Sequence, residues 1–223
     1  MGRAAPKLEC HDKGAMRVLI ACEFSGVVRH AFALLGHESH SCDLIETELE
    51  CGPGEYHHVE SAIDTINCEL QWDLLIAHPP CTYLCNSGVR WLAPGGNLNP
   101  ARHKLMMEAC DFFAQLLAAP IPRICIENPV MHKYARNYLQ ETWRVLRHDA
   151  RPTQTIQPWQ FGHGEIKRTC FWLRGLPLLK PSDVVSGRTP RVHHASPGPD
   201  RWKERSRTLP GIAKAMAEQW GAS

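Results

Sequence analysis

Three short apolar runs constrain this chain most: Met16-Arg17-Val18-Leu19-Ile20-Ala21-Cys22, Trp72-Asp73-Leu74-Leu75-Ile76-Ala77 and Arg123-Ile124-Cys125-Ile126. Each is too short for a buried helix, and each lacks the alternation of a half-solvated strand. Strands buried on both faces read this way, and they occur in parallel sheets covered by helices. The intervening segments have helical periodicity. Val27 to Gly36 is a short amphipathic pattern closed by glycine, and Arg102 to Ala119 places Leu105, Met106, Ala109, Phe112, Phe113 and Leu116 on one side. A further short strand ends at Asp43. Alternating strands and helices predict an α/β fold, a doubly wound and mostly parallel sheet, with ligands at the carboxyl ends of its strands.

Past residue 150 the pattern changes. Gln154-Thr155-Ile156-Gln157 and the run from Lys167 to Leu173 flank Phe161-Gly162-His163-Gly164, which predicts a late β-hairpin. Prolines, glycines and basic residues fill 176–208, read as an irregular basic loop. Pro210 to Trp220 closes the chain as a helix with Ile212, Met216 and Trp220 at four-residue spacing. Residues 1–15 are polar and aperiodic and read as a flexible tail, leaving 16–223 as a single domain.

With 223 residues, 43% of them hydrophobic, the chain buries one ordinary core. Its net charge of +2 gives no broad electrostatic footprint for nucleic acid, although a local groove can still be basic. Ten cysteines scattered through apolar stretches, without a secretory leader, read as reduced thiols of a cytoplasmic protein. No run approaches the roughly 18 apolar residues of a membrane span.

Three unusual motifs follow the three strands: Phe24-Ser25-Gly26, Pro79-Pro80-Cys81 and Glu127-Asn128. In this order and spacing they resemble the C5-cytosine methyltransferases that use S-adenosylmethionine, over roughly residues 16 to 220. The resemblance implies a Rossmann-like fold of the class I methyltransferase type, in a minimal form. It implies that Cys81 is the nucleophile and that Glu127 contacts N3 and the exocyclic amine of the base. It places Phe24, Ser25, Gly26 and Pro79 at the cofactor, where glycine would let the methionine part approach the backbone, and Asp43 at the ribose hydroxyls. His78, Pro80 and Asn128 fall on the substrate side. His78 replaces a small or apolar residue, and either touches a substrate phosphate or bonds within its own loop.

The late hairpin aligns with changes. The family's Tyr-Gly followed by Gln-x-Arg-x-Arg reads here as Phe161-Gly162, then Glu165, Lys167 and Thr169. Both arginines are replaced, leaving Lys167 or Arg168 to hold the base's O2. The last motif, usually Gly-Asn-x-Val-Pro, reads Ser206-Arg207-Thr208-Leu209-Pro210, and an arginine there would suit extra negative charge near the cofactor. Residues 176–208 stand where sequence-reading relatives carry a sizeable recognition domain. The resemblance therefore implies either DNA methylation with little sequence preference or the same chemistry on a free cytosine nucleotide such as dCMP. Arg188, Arg191, His193, His194, Arg201, Lys203 and Arg205 could meet several backbone phosphates or one terminal phosphate.

The chemistry explains these residue types. Carbon 5 of cytosine is a poor nucleophile until a thiolate adds to carbon 6, and the ring then needs a proton at N3. That role predicts for Glu127 a carboxyl raised by partial burial. No metal is expected. A rival reading is a zinc cytidine or dCMP deaminase, since His58-Val59-Glu60 with Pro80-Cys81 and Cys85 approximates H-x-E with P-C-x-x-C, although with one residue too many between the cysteines. A non-catalytic nucleic-acid-binding module is the third, and it predicts that Cys81→Ala leaves every function intact.

Overall fold

A computed structural model describes residues 14–143, 150–191, 198 and 201–222. The expected tail up to residue 13 lies outside the described residues, as do His193 and His194 of the basic loop. One seven-stranded sheet organises the chain. Its strands are β1 (Arg17–Ala21), β2 (Glu38–Asp43), β3 (Glu55–Val59), β4 (Leu74–Ala77), β5 (Arg123–Asn128), β6 (Gln154–Ile156) and β7 (Thr169–Arg174), in the order β3-β2-β1-β4-β5-β7-β6. The first five are parallel, whereas β7 runs antiparallel to both β5 and β6. This is a doubly wound, Rossmann-like arrangement with an antiparallel strand at one side. The order reverses between β1 and β4, which opens a crevice at their carboxyl ends.

Successive residues of the central strands feed opposite faces. Val18, Ile20, Leu74, Ile76 and Cys125 pack with α1 (Val27–Ala33) and α6 (Pro210–Trp220), whose Val28, Phe32, Ile212, Met216 and Trp220 are buried. Leu19, Ala21, Leu75, Ala77, Ile124 and Ile126 pack on the other side against α2 (Ala62–Ile66), α3 (Pro100–Ala118) and α4 (Lys133–Thr142). Asn99 caps α3, its side chain accepting from the Arg102 N–H, and Pro100 occupies the first turn.

The structure departs from expectation in several places. The buried face of α3 is Met106, Cys110, Phe113, Ala114, Leu116 and Leu117, which keeps Met106, Phe113 and Leu116 of the expected stripe but turns Leu105 out to 40% exposure. Helix α1 stops at Ala33, leaving Leu34 and Leu35 in solvent. Strand β3 and helix α4 were not expected. The irregular basic loop contains a short helix, α5 (Arg201–Ser206), and forms bridges from Asp183 to Phe161 and from Thr189 to Glu165. No helix among the described residues is long and apolar enough to cross a membrane.

Candidate active site

The turn after β1 is built around Glu23, which is buried at 4% exposure. Its carboxylate accepts the N–H of Val28 at 2.7 Å and of Arg29 at 3.3 Å, and the Ser25 hydroxyl at 3.2 Å. It thereby satisfies the orphan donors at the start of α1, where a negative charge is favoured. Gly26 sits in the left-handed region at φ 72°. A Cβ there would lie 2.8 Å from the Arg29 Nη2 and 2.9 Å from the Leu49 Cβ. The expected reason for this glycine, room for a ligand against the backbone, is therefore corrected: its open side is filled by the protein. Gly26→Ala is expected to lower stability by about 1–3 kcal/mol through backbone strain, read by urea denaturation.

The loop after β4 is tied to its neighbours. The His78 N–H donates to the Ala21 carbonyl at 2.9 Å, and the N–H groups of Leu84 and Cys85 both reach the Cys81 carbonyl at 3.0 Å, winding one helical turn behind the cysteine. The His78 Nδ1 lies 3.1 Å from the Glu127 Oε2 and donates to it, while the buried Nε2 has no hydrogen-bond partner. Asn128, fully buried, donates from its amide to the Pro79 carbonyl at 3.4 Å. It positions the proline loop from behind and is not among the residues lining the cleft, and its buried Oδ1 has no hydrogen-bond partner.

Because β1, β4 and β5 are neighbours, their carboxyl ends converge on one cleft. Phe24, Ser25, His78, Pro79, Pro80, Cys81, Glu127 and Lys167 all line it. Arg205, Ser206, Arg207 and Thr208 close it from above, and Trp202 of α5 packs on Phe24 with ring centroids 5.5 Å apart. The enclosed space is about 100 Å³, below the roughly 300–1,000 Å³ of ordinary small-molecule sites.

Charge at the site also departs from expectation. Burial pushes the Glu127 carboxyl up, but the His78 hydrogen bond and the nearby charges of Lys167 and His78 outweigh it, leaving the group below its ordinary range. The expected raised carboxyl is absent in this state because His78 occupies it. The Cys81 thiol is pushed well up, first by its hydrogen bond with Cys85 and then by burial.

Other expected residues scatter. Asp43 ends β2 as expected, but its carboxylate accepts from the backbone N–H of Leu44 and Ile45, is pushed up by burial, and does not line the cleft. Lys167 faces the cleft and Thr169 a small adjoining space with His78 and Glu127, whereas Arg168 points to solvent. Residues two apart share a face in extended chain, so only one of the two cations could face inward. Within the basic loop, Arg188 stacks over Trp159 at 3.9 Å, Arg191 approaches Glu165 at 3.9 Å, and Arg205 lines the cleft. His58 is on the edge strand β3, hydrogen-bonded to His40 at 2.9 Å and separated from β4 by β2 and β1. The deaminase constellation is thus not assembled, and the described residues hold no group of three or more His, Cys, Asp or Glu suited to a metal ion.

Glu23 and Arg29 are the site residues that the sequence motifs did not single out, whereas Cys85 entered only as a candidate zinc ligand and Arg205 only as one of the loop's cations. For Arg29 a signal existed in its place between Val28 and Phe32 on the apolar side of a short helix, but nothing local names its partner. For Glu23 the partners Ser25, Val28 and Arg29 lie within six residues, but an acid ahead of a short helix is too common to read as its cap.

No protein-family model and no curated protein matches this sequence. Among solved structures, a candidate DNA modification methyltransferase encoded within a prophage of E. coli is 12% identical, with 77% of this chain and 52% of that chain covered and a TM-score of 0.49. A methyltransferase of Entamoeba histolytica is 14% identical, with 82% and 61% covered and a TM-score of 0.42. The chain thus spans less than two thirds of either, and these distant likenesses carry no argument about its activity.

Proposed function

We propose that this chain transfers a methyl group from S-adenosylmethionine to C5 of cytosine in DNA, with little sequence specificity, through a covalent bond between Cys81 and C6. The observation that carries this reading is the convergence of Cys81, Glu127 and the Phe24-Ser25 turn on one cleft at the carboxyl ends of three neighbouring strands. Phe24, Ser25 and Pro79 offer a largely apolar wall for the cofactor, with Gly26 shaping their turn and Asp43 assigned to its ribose. The cofactor supplies an electrophilic methyl group. Admitting it together with a base requires the segment from Trp202 to Thr208 to withdraw.

Cys81 adds to C6, and the ring's displaced electrons move towards N3. Glu127 at rest is ionised and accepts from His78. A base that takes His78's place on Glu127 removes the strongest influence holding the carboxyl down, and burial then favours the protonated acid that N3 needs. The freed His78, its Nε2 already unpartnered, stays within reach of the base's edge. Pro80 borders the ring, while Lys167 or Thr169 takes O2. The same chemistry on a free cytosine nucleotide is the second reading. It is favoured by Arg205 being the one member of the described basic loop, among the residues singled out there, that lines the cleft, which suits a single phosphate.

The test offers DNA and dCMP side by side to purified protein with methyl-labelled cofactor, and repeats the incubation with 5-fluorocytosine. Label is expected on one substrate. Because fluorine at C5 cannot leave as a proton, the fluorinated substrate is expected to remain on Cys81 as a mass-shifted adduct. Label on neither substrate sinks the reading.

A further inference from the structure

A second, wider groove lies beside the active-site cleft, built from the same loops that carry Cys81 and Glu127. We propose that it holds the nucleotide next to the target cytosine in an unpaired DNA strand, the base on Tyr134 and the phosphate between Lys133 and Arg136; this rests on the methyltransfer reading above.

The segments that follow Cys81 and Glu127 are laced together. Cys85 forms a bridge with Met131, the Asn86 N–H donates to the Val130 carbonyl at 3.1 Å, and the His132 N–H donates to the Leu84 carbonyl at 2.9 Å. Cys81 and Pro129 line the cleft, whereas Asn86 and Val130 line the groove. Pro129 and Val130 are consecutive, about 3.8 Å apart at Cα, which brings the two spaces within reach of neighbouring nucleotides of one strand. The groove encloses about 500 Å³, within the roughly 300–1,000 Å³ of ordinary ligand sites.

Its lining suits an anion with a ring attached. Lys133, Arg136 and His132 contribute to it, and no carboxylate is among the described residues that do. His132 is committed to the fold: its Nε2 donates to the Tyr83 carbonyl at 2.9 Å and its Nδ1 accepts the Ala135 N–H at 3.1 Å. Burial holds its ring below the ordinary range, so it stays neutral at pH 7 and shapes the floor. Two cations remain. The Lys133 Nζ lies 5.0 Å from the centre of the Tyr134 ring, and the buried Arg136 Nε has no hydrogen-bond partner among the described residues. A buried guanidinium N–H left unpaired is costly, and a phosphate oxygen satisfies it with a charge-assisted bond.

Tyr134 is 45% exposed, and Val89, Val130 and Met131 give the groove an apolar wall. An exposed ring beside a cation is a platform on which any base can stack. The same pairing recurs along the loop after Cys81, with Arg102 over Tyr83 at 4.9 Å and Arg90 over Trp91 at 4.8 Å. Successive rings with cations fit a strand better than a lone nucleotide. A base lying on Tyr134 has left its own stack, so the strand is unpaired there. Stacking and phosphate contacts read no base edge, which agrees with the low sequence preference proposed above.

The test measures binding to the full chain by fluorescence anisotropy, using a labelled single-stranded oligonucleotide of about twelve nucleotides with one central cytosine, and dCMP as competitor. The strand is expected to bind about tenfold or more tightly than dCMP, and more tightly than its own duplex. Tyr134→Ala, which alters an exposed side chain, is expected to lose about five- to hundredfold in strand affinity. Lys133→Gln/Arg136→Gln is expected to flatten the dependence of log affinity on log salt by about 0.7, the share of one phosphate on a single strand, and Lys133→Arg/Arg136→Lys to restore it. A loss of packing alone does not move that slope. Equal affinity of the parent for strand and dCMP, or for strand and duplex, overturns the proposal whether or not the variants fold. Unchanged affinity and slope in folded variants overturn it too. Methyl-labelled cofactor separates the two readings. Strand binding as expected with label on no substrate sinks the methyltransfer reading and keeps the groove as a strand-binding site. Equal label on dCMP and strand, unaltered in the groove variants, keeps the methyltransfer reading and overturns the groove's role.

Discussion

Cys81→Ser is expected to lower methyl transfer by about 10⁴-fold or more, roughly 5 kcal/mol or above at 1.36 kcal/mol per tenfold, while leaving the fold intact. Serine keeps the size of the side chain but not its ionisation, and an alkoxide is out of reach beside the Glu127 carboxylate. The half-buried position carries no core packing, so thermal unfolding should move by only a degree or two. Single-turnover transfer of labelled methyl measures the first effect and circular dichroism the second. Substrate binding should survive in Cys81→Ser, which separates the enzyme from a binding module: the module retains its whole function in the variant, the enzyme only its grip. Transfer within tenfold of the parent removes Cys81 from the chemistry.

The elements that carry the site were legible because their signals are local. Val18-Leu19-Ile20, Leu74-Leu75-Ile76 and Ile124-Cys125-Ile126 are apolar on both faces, and sequence alone marks such strands. Once they lie side by side, whatever follows them converges, which is why Cys81 and Glu127 could be paired across a long stretch of chain. Strand β3 was hidden because Glu-Tyr-His-His-Val is an edge strand with no apolar run, held instead by side-chain bonds such as Ser41 to His57 at 2.9 Å. Charge states were hidden for a similar reason. Nothing near Glu127 in sequence reveals that His78 donates to it or that Lys167 faces it, and those contacts reverse the direction that burial alone gives. Gly26 looked like a ligand-facing glycine because its neighbours are motif residues, yet the atom that excludes a Cβ is on Arg29, one turn along α1.

Arg29 gives the largest expected stability effect. It is fully buried on α1, and its guanidinium donates from Nε to the Glu55 Oε2 at 2.9 Å, from Nη1 to Ser41 and Thr47 at 2.8 and 3.1 Å, and from Nη2 to the Leu49 carbonyl at 2.6 Å. Arg29→Met is expected to cost about 3–5 kcal/mol, because it strands a buried carboxylate and frees the 47–49 loop at once. For a chain of this size that corresponds to a fall in melting temperature of roughly 6–20 °C. The sign of the pH dependence distinguishes the cause. In the parent, burial pushes Glu55 up, but Arg29 and His30 outweigh it and hold the carboxyl down, so its contribution is present above the unfolded value and is lost as pH falls. With Arg29 gone the burial effect is opposed by His30 alone, Glu55 favours its protonated form, and the variant loses stability as pH rises through the carboxylate range. Urea denaturation at pH 4 and pH 7 should therefore show the larger loss at pH 7, and Arg29→Met/Glu55→Gln should recover part of it. Equal losses at both pH values would assign the cost to packing and the loop instead of to the stranded charge. In either case the Phe24 turn loosens with the residue that walls Gly26, so methyl transfer declines before the protein unfolds.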